Sequence, residues 1–562
     1  MLSQSYVHGA SAKPLLGETV GALLDRIANQ HPERPALIVR HQAIRWTYAE
    51  LRRRANDLAA GLLALGLRPG ERVGIWSPNN SEWVVTQFAS AKAGLILVNI
   101  NPAYRAHELE YALNKVGCKA LILAAGFRDN DYLATLRALA PELPASKPGA
   151  LVANKLPELK IVIRLGAEKT DGLFNYADLA VPATHAQLAE VEALAESLQF
   201  DDPINIQFTS GTTGAPKGAT LTHHNIVNNG YFIGEAMRLT PDDKLCIPVP
   251  YYHCFGMVLG NLACVTHAAC MVCPAEGFEP LATLQAVEEE RCTGLHGVPT
   301  MFIAMLGHPE FARFDLSSLR TGIMAGSPCP VEVMRKVVAL MHMREVTIAY
   351  GMTETSPVSF QSDCDDPLER RVSTVGRVHP HIEVKIVDAK GRILPRGETG
   401  ELLTRGYSVM QGYWGDAEAT ALTIDAARFM HTGDLATLDA EAYCNIVGRL
   451  KDMVIRGGEN IYPREIEEFL YTHPAIADVQ VFGVPDPHYG EQLCAWIKLK
   501  AGAKLNDAEV TAFCKSSLAH FKTPKYVRFV EAFPMTVTGK AQKFLMRQAM
   551  IDELGLRQER TA

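Results

Sequence analysis

Short apolar segments recur along the first two thirds of the chain, each set between stretches with helical periodicity. Arg72–Trp76 is followed by the helix-like Ser81–Lys92 and then by Leu95–Ile100; Ala120–Leu123, Ile204–Phe208, Cys270–Cys273 and Val346–Ala349 repeat the pattern. Strands this apolar are buried on both faces, the condition of a parallel sheet covered by crossover helices. The alternation therefore predicts an α/β fold with largely parallel sheets. At 562 residues the chain is long enough for two to four domains of about 100–200 residues. No internal repeat or low-complexity tract interrupts this reading.

The texture changes at Val384. Short strands punctuated by turns follow (Val384–Val387, the Lys390-Gly391 turn, Glu401–Thr404), which predicts a small β-rich subdomain at about 376–449. Beyond it, Gly457-Gly458-Glu459-Asn460-Ile461-Tyr462-Pro463 leads into a predicted helix, Arg464–Thr472, with Pro463 suited to the first turn because its missing N–H has no partner there anyway. The rest of the chain suffices for one compact α+β domain. The expected division is an N-terminal domain at 1–449 and a mobile C-terminal domain at 450–562. The stretch Pro141–Pro157 contains four prolines and little periodicity, and it predicts a surface connection.

Charge and cysteine content narrow the function classes. Lys plus Arg number 55 against 62 Asp plus Glu, a net charge of −7, so no basic footprint for nucleic acid is evident. No run of about 18 apolar residues predicts a transmembrane segment, and the N-terminal residues lack the pattern of a secretory signal. Twelve cysteines are too dilute for a disulfide scaffold. Cys270 and Cys273 form a CxxC, with Cys264 and His267 upstream, but a zinc site would need a second ligand pair at short spacing. Their apolar surroundings predict buried packing, the usual fate of free cysteine, in a reducing compartment, the cytoplasm.

The strongest chemical signal is Thr209-Ser-Gly-Thr-Thr-Gly-Ala-Pro-Lys-Gly218, directly after Ile204–Phe208. Glycines let backbone N–H groups turn toward an anion, hydroxyls donate further bonds and Lys217 adds positive charge. Pro216 precedes the lysine and Gly218 follows it, so the spacing is not that of a Walker A loop. The segment reads as a phosphate loop of another type.

With Tyr350-Gly-Met-Thr-Glu354, Thr432-Gly-Asp434, Gly448-Arg449, Gly457-Gly458-Glu459 and Thr538-Gly-Lys540 following in order, the chain resembles the adenylate-forming enzymes from about Thr19 to about Arg547. Tyr251-Tyr-His-Cys-Phe-Gly256, Arg456–Pro463 and His520-Phe-Lys-Thr-Pro-Lys525 are similar to segments of medium-chain fatty acyl-CoA synthetases. The resemblance implies a ligase that joins a carboxylic acid to CoA in two steps. The acid first attacks the α-phosphate of ATP, giving acyl-adenylate and pyrophosphate; the CoA thiol then displaces AMP.

The resemblance also implies roles for individual residues. Thr209, Ser210, Gly211, Thr212, Thr213, Gly214 and Lys217 would hold the ATP phosphates, and Glu354 with Thr213 would hold Mg²⁺, which favours carboxylate and phosphate oxygens. Thr353 would lie against the α-phosphate. Tyr350, Gly351, Gly326 and Ser327, the last two in the loop Ala325–Pro328, would flank adenine, while Asp434 and Arg449 would hold the ribose. Lys540 would neutralise both the acid and the α-phosphate in the first step, as a flexible compact cation can.

In the second step the C-terminal domain would rotate about Lys451, so that Gly457, Gly458 and Glu459 replace Lys540 and line the CoA channel. His253 would guard the carboxylate, with general-base action left open. Tyr252, His253, Val298 and Met352 would line an apolar acyl pocket. An aryl- or branched-acid CoA ligase and acyl transfer to a carrier protein are the alternatives on the same scaffold. A nucleotide-binding protein without catalysis would be expected to lose Lys217, Glu354 or Lys540, and all three are present. No carrier module follows in this sequence, and a homodimer is compatible with it.

Overall fold

The computed structural model describes residues 3–209, 216–327, 329–456, 459–536 and 541–556. Two compact units are formed: His8–Glu383 with Thr404–Met430, and Met1–Val7 with Val384–Leu403 and His431–Ala562.

The larger unit contains two sheets whose centres are parallel. In the eight-stranded sheet the order runs Phe174–Asn175, Ile161–Arg164, Ala120–Leu123, Arg72–Trp76, Ile96–Asn99, Pro203–Thr209, Lys217–Thr222, Gly412–Tyr413. The first six strands are parallel and the last two antiparallel. The nine-stranded sheet likewise has a parallel centre, Glu345–Gly351, Thr321–Ala325, Gly294–Leu295, Lys244–Cys246, Cys270–Cys273, Pro35–Val39, with antiparallel strands at each edge. The α/β expectation is met.

Helix Ser81–Lys92 forms where the sequence pattern places it. The Asn80 side chain accepts from Trp83 N and caps its start. Buried residues occur all round it, as a helix packed on several sides requires. Cys270 and Cys273 lie in a wholly buried strand as free thiols. Burial pushes the Cys273 thiol up to about 12, which disfavours the thiolate a metal would need. The stretch Pro141–Pro157 is mostly exposed, as expected of a surface connection. It is irregular, with one short 3₁₀ turn at Leu143–Ala145, yet Leu143, Leu151, Ala153 and Leu156 are buried in the second core of the larger unit. The prolines prevent regular structure, and the leucines between them still anchor the strap to the core.

A five-stranded sheet, most of its residues in the smaller unit, has the order Tyr6–His8, Ile382–Val387, Gly400–Gly406, Met430–Leu438, Cys444–Arg449. A second sheet contains Glu459–Ile461, Val454–Arg456, Gly490–Leu499, Ile476–Asp486 and Tyr526–Phe529. Along its two long strands side chains alternate between faces. Val479, Val481, Leu493, Ala495 and Ile497 share a core with Ile466, Leu470, Val510 and Cys514 of two helices. Phe482, Val484, Cys494 and Trp496 point the other way and pack with Met546 and Met550 of helix Lys543–Leu554. The expected boundary at 449/450 lies within this unit, at the turn that joins Cys444–Arg449 to Val454–Arg456.

Candidate active site

Thr209 and Lys217 face each other as the last and first residues of paired antiparallel strands, so the two ends of the phosphate loop are held together by the ladder. The Thr209 hydroxyl donates to the Lys217 carbonyl at 3.4 Å. Ser210, Gly211, Thr212, Thr213 and Gly214 lie outside the described residues.

The next strand, Gly412–Tyr413, pairs on Lys217–Thr222 and brings in a residue the sequence did not single out. The Lys217 ammonium is 5.0 Å from the centroid of the Tyr413 ring, within cation–π range. Tyr413 Oη donates to Glu354 Oε1 at 2.9 Å. Burial, with the Glu354 charge beside it, holds the phenol above its usual range, so it remains a donor. Glu354 is thereby fixed twice, since its carbonyl also accepts from Met410 N at 2.9 Å.

Thr353 and Glu354 share a single 3₁₀ turn, Thr353–Thr355, directly after strand Glu345–Gly351. The turn folds back on Pro357, whose carbonyl accepts from Met352 N and from the Thr355 hydroxyl. Gly351 is required there: a Cβ would lie 1.7 Å from Pro357 O. Tyr350, one residue earlier, packs edge-on against Phe360 and is partly exposed.

Thr353 is in turn close to the Tyr252-His253 segment through Cys254. The buried thiol lies 3.9 Å from Thr353 Oγ1 and 3.7 Å from His253 Nδ1. His253 Nδ1 accepts from Phe255 N at 3.1 Å. A backbone N–H can only donate, so the neutral ring carries its proton on Nε2. Nε2 is therefore a hydrogen-bond donor, and general-base action by it would require the Phe255 bond to break. Tyr252 and His253 rings meet edge to face, 6.4 Å apart.

Val298 is buried at the start of helix Pro299–Leu306, next to Gly326. Gly326 has φ +92°, and a Cβ added there would lie 3.1 Å from Val298 Cγ1. Ser327 and Met352 are partly buried, Met352 against the main core. Pro328 lies outside the described residues.

The smaller unit holds the remaining expected residues. Asp434 and Arg449 are register partners in antiparallel strands, and Arg449 Nε is 3.2 Å from Asp434 Oδ1. The carboxylate is 6% exposed and the guanidinium 42%, so the acid is presented from a nearly closed position while the base reaches out. Gly433, at φ +68°, turns the chain immediately before Asp434, whose N–H donates to the Thr432 hydroxyl. Lys451 is exposed in the turn after Arg449, and Glu459 is exposed at the start of its strand, opposite Arg456. Gly457, Gly458 and Lys540 lie outside the described residues. On either side of the segment containing Lys540, Met535 and Ala541 form a bridge and Gln542 N donates to Pro534 O.

Among the described residues no group of three or more His, Cys, Asp or Glu side chains could hold a metal, and no helix is long and apolar enough to cross a membrane.

Known proteins align with both parts of this arrangement. The AMP-binding enzyme family matches residues 24–414, and its C-terminal domain family matches 465–540. YngI of Bacillus subtilis (strain 168) is 50% identical over 543 residues, covering 96% of this chain and 99% of YngI. The mitochondrial medium-chain acyl-CoA ligase ACSF2 of Danio rerio is 48% identical over 558 residues, 99% of this chain and 92% of the relative. In structure, the anthranilate CoA ligase AuaEII, solved in complex with anthranoyl-AMP, superposes with a TM-score of 0.84 at 25% identity, covering 97% of this chain and 99% of that one. Matched over more than half its length by the family and over nearly all of it by these relatives, the chain belongs to the AMP-binding enzymes.

Proposed function

We propose that this protein is an AMP-forming acyl-CoA ligase that converts a medium-chain fatty acid to its CoA thioester. The observation that carries the reading is the convergence of Lys217, Tyr413 and Glu354 at the closed end of the phosphate loop, in the same unit as the Thr353–Cys254–His253 contact. A cation and a fixed carboxylate suit triphosphate handling, and an apolar segment next to Thr353 suits a fatty acid. The activity named for the ACSF2 relative and the acyl-adenylate in the AuaEII complex support the same reading.

Each residue contributes position or charge, the main resources of a phosphoryl or acyl transfer of this kind. Lys217, with the hydroxyls of Thr209, Ser210, Thr212 and Thr213, neutralises the departing pyrophosphate. Glu354 supplies the hard oxygen donor that suits Mg²⁺, and the ion, held there with the Thr213 hydroxyl, would offset phosphate charge. Thr353 donates toward the α-phosphate. Tyr350, Gly351, Gly326 and Ser327 flank adenine. Asp434 accepts from the ribose hydroxyls, and Arg449 orients that carboxylate. His253, its proton on Nε2, donates to the acid and holds it for attack on the α-phosphorus. Tyr252, Val298 and Met352 line the chain of the acid.

Lys540 belongs to the first half-reaction only. The C-terminal domain, 450–562, then turns about Lys451, and Gly457, Gly458 and Glu459 line the path of CoA. The thiol attacks the acyl carbonyl and AMP leaves. The free cysteines fit a reducing compartment such as the cytoplasm.

Acid-dependent exchange of labelled pyrophosphate into ATP, measured without CoA, tests the acyl-adenylate step. Lys540→Ala is expected to abolish the exchange and to spare thioester formation from supplied acyl-adenylate. Equal loss of both half-reactions would overturn the assignment of Lys540.

A further inference from the structure

The segment that carries Tyr252 and His253 is held by buried amide side chains rather than by apolar packing alone. Asn79, Gln87, Asn99, Asn205, Gln207 and Asn261 are each at most 3% exposed. Asn79 Nδ2 donates to Val249 O at 2.9 Å and Asn79 Oδ1 accepts from Tyr251 N at 2.7 Å. Asn99 Nδ2 donates to Tyr252 O at 2.8 Å and to Met257 Sδ at 3.2 Å. Behind Asn99 the chain continues: Asn205 Nδ2 donates to Asn99 Oδ1 at 3.0 Å, and Gln207 Nε2 to Asn205 Oδ1 at 2.8 Å and to Met257 Sδ at 3.1 Å. Gln87 Nε2 reaches Met257 O, and Asn261 Nδ2 holds Gln87.

Buried amides are costly unless their bonds are made, and aliphatic side chains would fill the same space without that cost. What they add is direction: a satisfied polar chain admits one register, where aliphatic packing lets a segment slide. Here the chain runs from Gln207 and Asn205, on the strand that ends at Thr209, through Asn99 to the Tyr252 carbonyl, and it grips the first turn of the π-helix Phe255–Leu262 at Met257. Helices of this type are rare, occur mostly as short insertions in α-helices and are frequent at functional sites. Strand Pro203–Thr209 and the Tyr252 carbonyl are thus linked by side-chain amides.

We infer that Asn99, Asn205 and Gln207 are positioning residues that fix Tyr252 and His253 against the phosphate-loop strand and thereby set which acid length is accepted. This rests on the reading of Tyr252–His253 as the acid segment. Two variants test it beside the wild type: Asn99→Leu, which removes the donor to Tyr252 O, and Met257→Leu, a volume-conserving change of the kind cores tolerate. For each, kcat/KM is measured for butyrate, octanoate and dodecanoate, together with KM for ATP and Tm. The expected result is a change of about fivefold or more in the preference among acids for Asn99→Leu, and a smaller change in the same direction for Met257→Leu. KM for ATP should stay within about twofold. If Asn99→Leu does not fold, the shift in Met257→Leu decides. A common fall for all acids with the preference unchanged, or a parallel rise in KM for ATP, would make the amides merely structural and overturn the proposal alone. A wild type with no acid-dependent turnover would overturn the reading of the acid segment and the proposal with it.

Discussion

Glu354 is set by two contacts that local sequence does not announce, one to its side chain from Tyr413 and one to its carbonyl from Met410. A hydrogen bond to a charged group is worth about 1.5–3 kcal/mol, so losing it should be felt wherever Glu354 acts. Tyr413→Phe is expected to slow pyrophosphate exchange by about tenfold and to raise the Mg²⁺ concentration needed for half-maximal rate. Exchange at the wild-type rate and Mg²⁺ dependence would remove Tyr413 from the site. The motif around Glu354 was legible because Thr353 and Glu354 share one turn, so their chemistry is local. Tyr413 was not legible: Gln411-Gly-Tyr-Trp414 has no unusual composition, and its place beside Lys217 depends on pairing of Tyr413 with Ala219 across nearly two hundred residues. The same holds for Cys254, whose nearness to Thr353 comes from packing and not from spacing.

At the scale of elements, helix Ser81–Lys92 and the parallel strands were readable because apolar runs and caps are local signals. The long strands of the second small-unit sheet were not, because both faces are covered and the sequence there is apolar on successive residues. The π-helix Phe255–Leu262 also escaped the sequence reading; His296 shows how the fold accommodates it. His296 Nε2 donates to Leu259 O at 2.9 Å, and His296 Nδ1 accepts from Ile323 N at 3.1 Å, linking the π-helix to strand Thr321–Ala325. Burial lowers the ring from 6.5 to about 4. Between these values the unfolded chain binds the extra proton and the folded chain does not, so stability falls as pH drops from 6.5 toward 4. The contribution is about 2 kcal/mol at pH 5. His379 and His223, lowered to about 3 by burial, act in the same direction. Tm is therefore expected to fall between pH 7 and pH 5, with a shallower slope in His296→Gln, whose amide keeps hydrogen-bonding capacity without titrating. An identical slope in the two proteins would show that His296 does not carry this load.

At the scale of the whole molecule, the expected residues are divided between the two units. Lys217, Thr353, Glu354 and His253 belong to the larger; Asp434, Arg449, Lys451 and Glu459 belong to the smaller. Lys451→Pro, which restricts the turn after Arg449, is expected to impair one half-reaction severalfold more than the other; single-turnover assays of each half would show it, and unchanged rates of both would exclude Lys451 as the pivot. The overall α/β architecture was legible in the sequence. The length of acid was not, because a pocket wall is assembled from distant segments and one methylene changes binding by only about 1–3 kcal/mol.

The most direct test of the central claim is release of AMP and formation of thioester with Mg²⁺-ATP and CoA across straight-chain acids from acetate to palmitate, with benzoate and a branched acid alongside. Acid- and CoA-dependent AMP release that peaks at medium chain length is the expected result. A maximum on benzoate or the branched acid would contradict the substrate, and no AMP release with any acid would contradict the ligase itself.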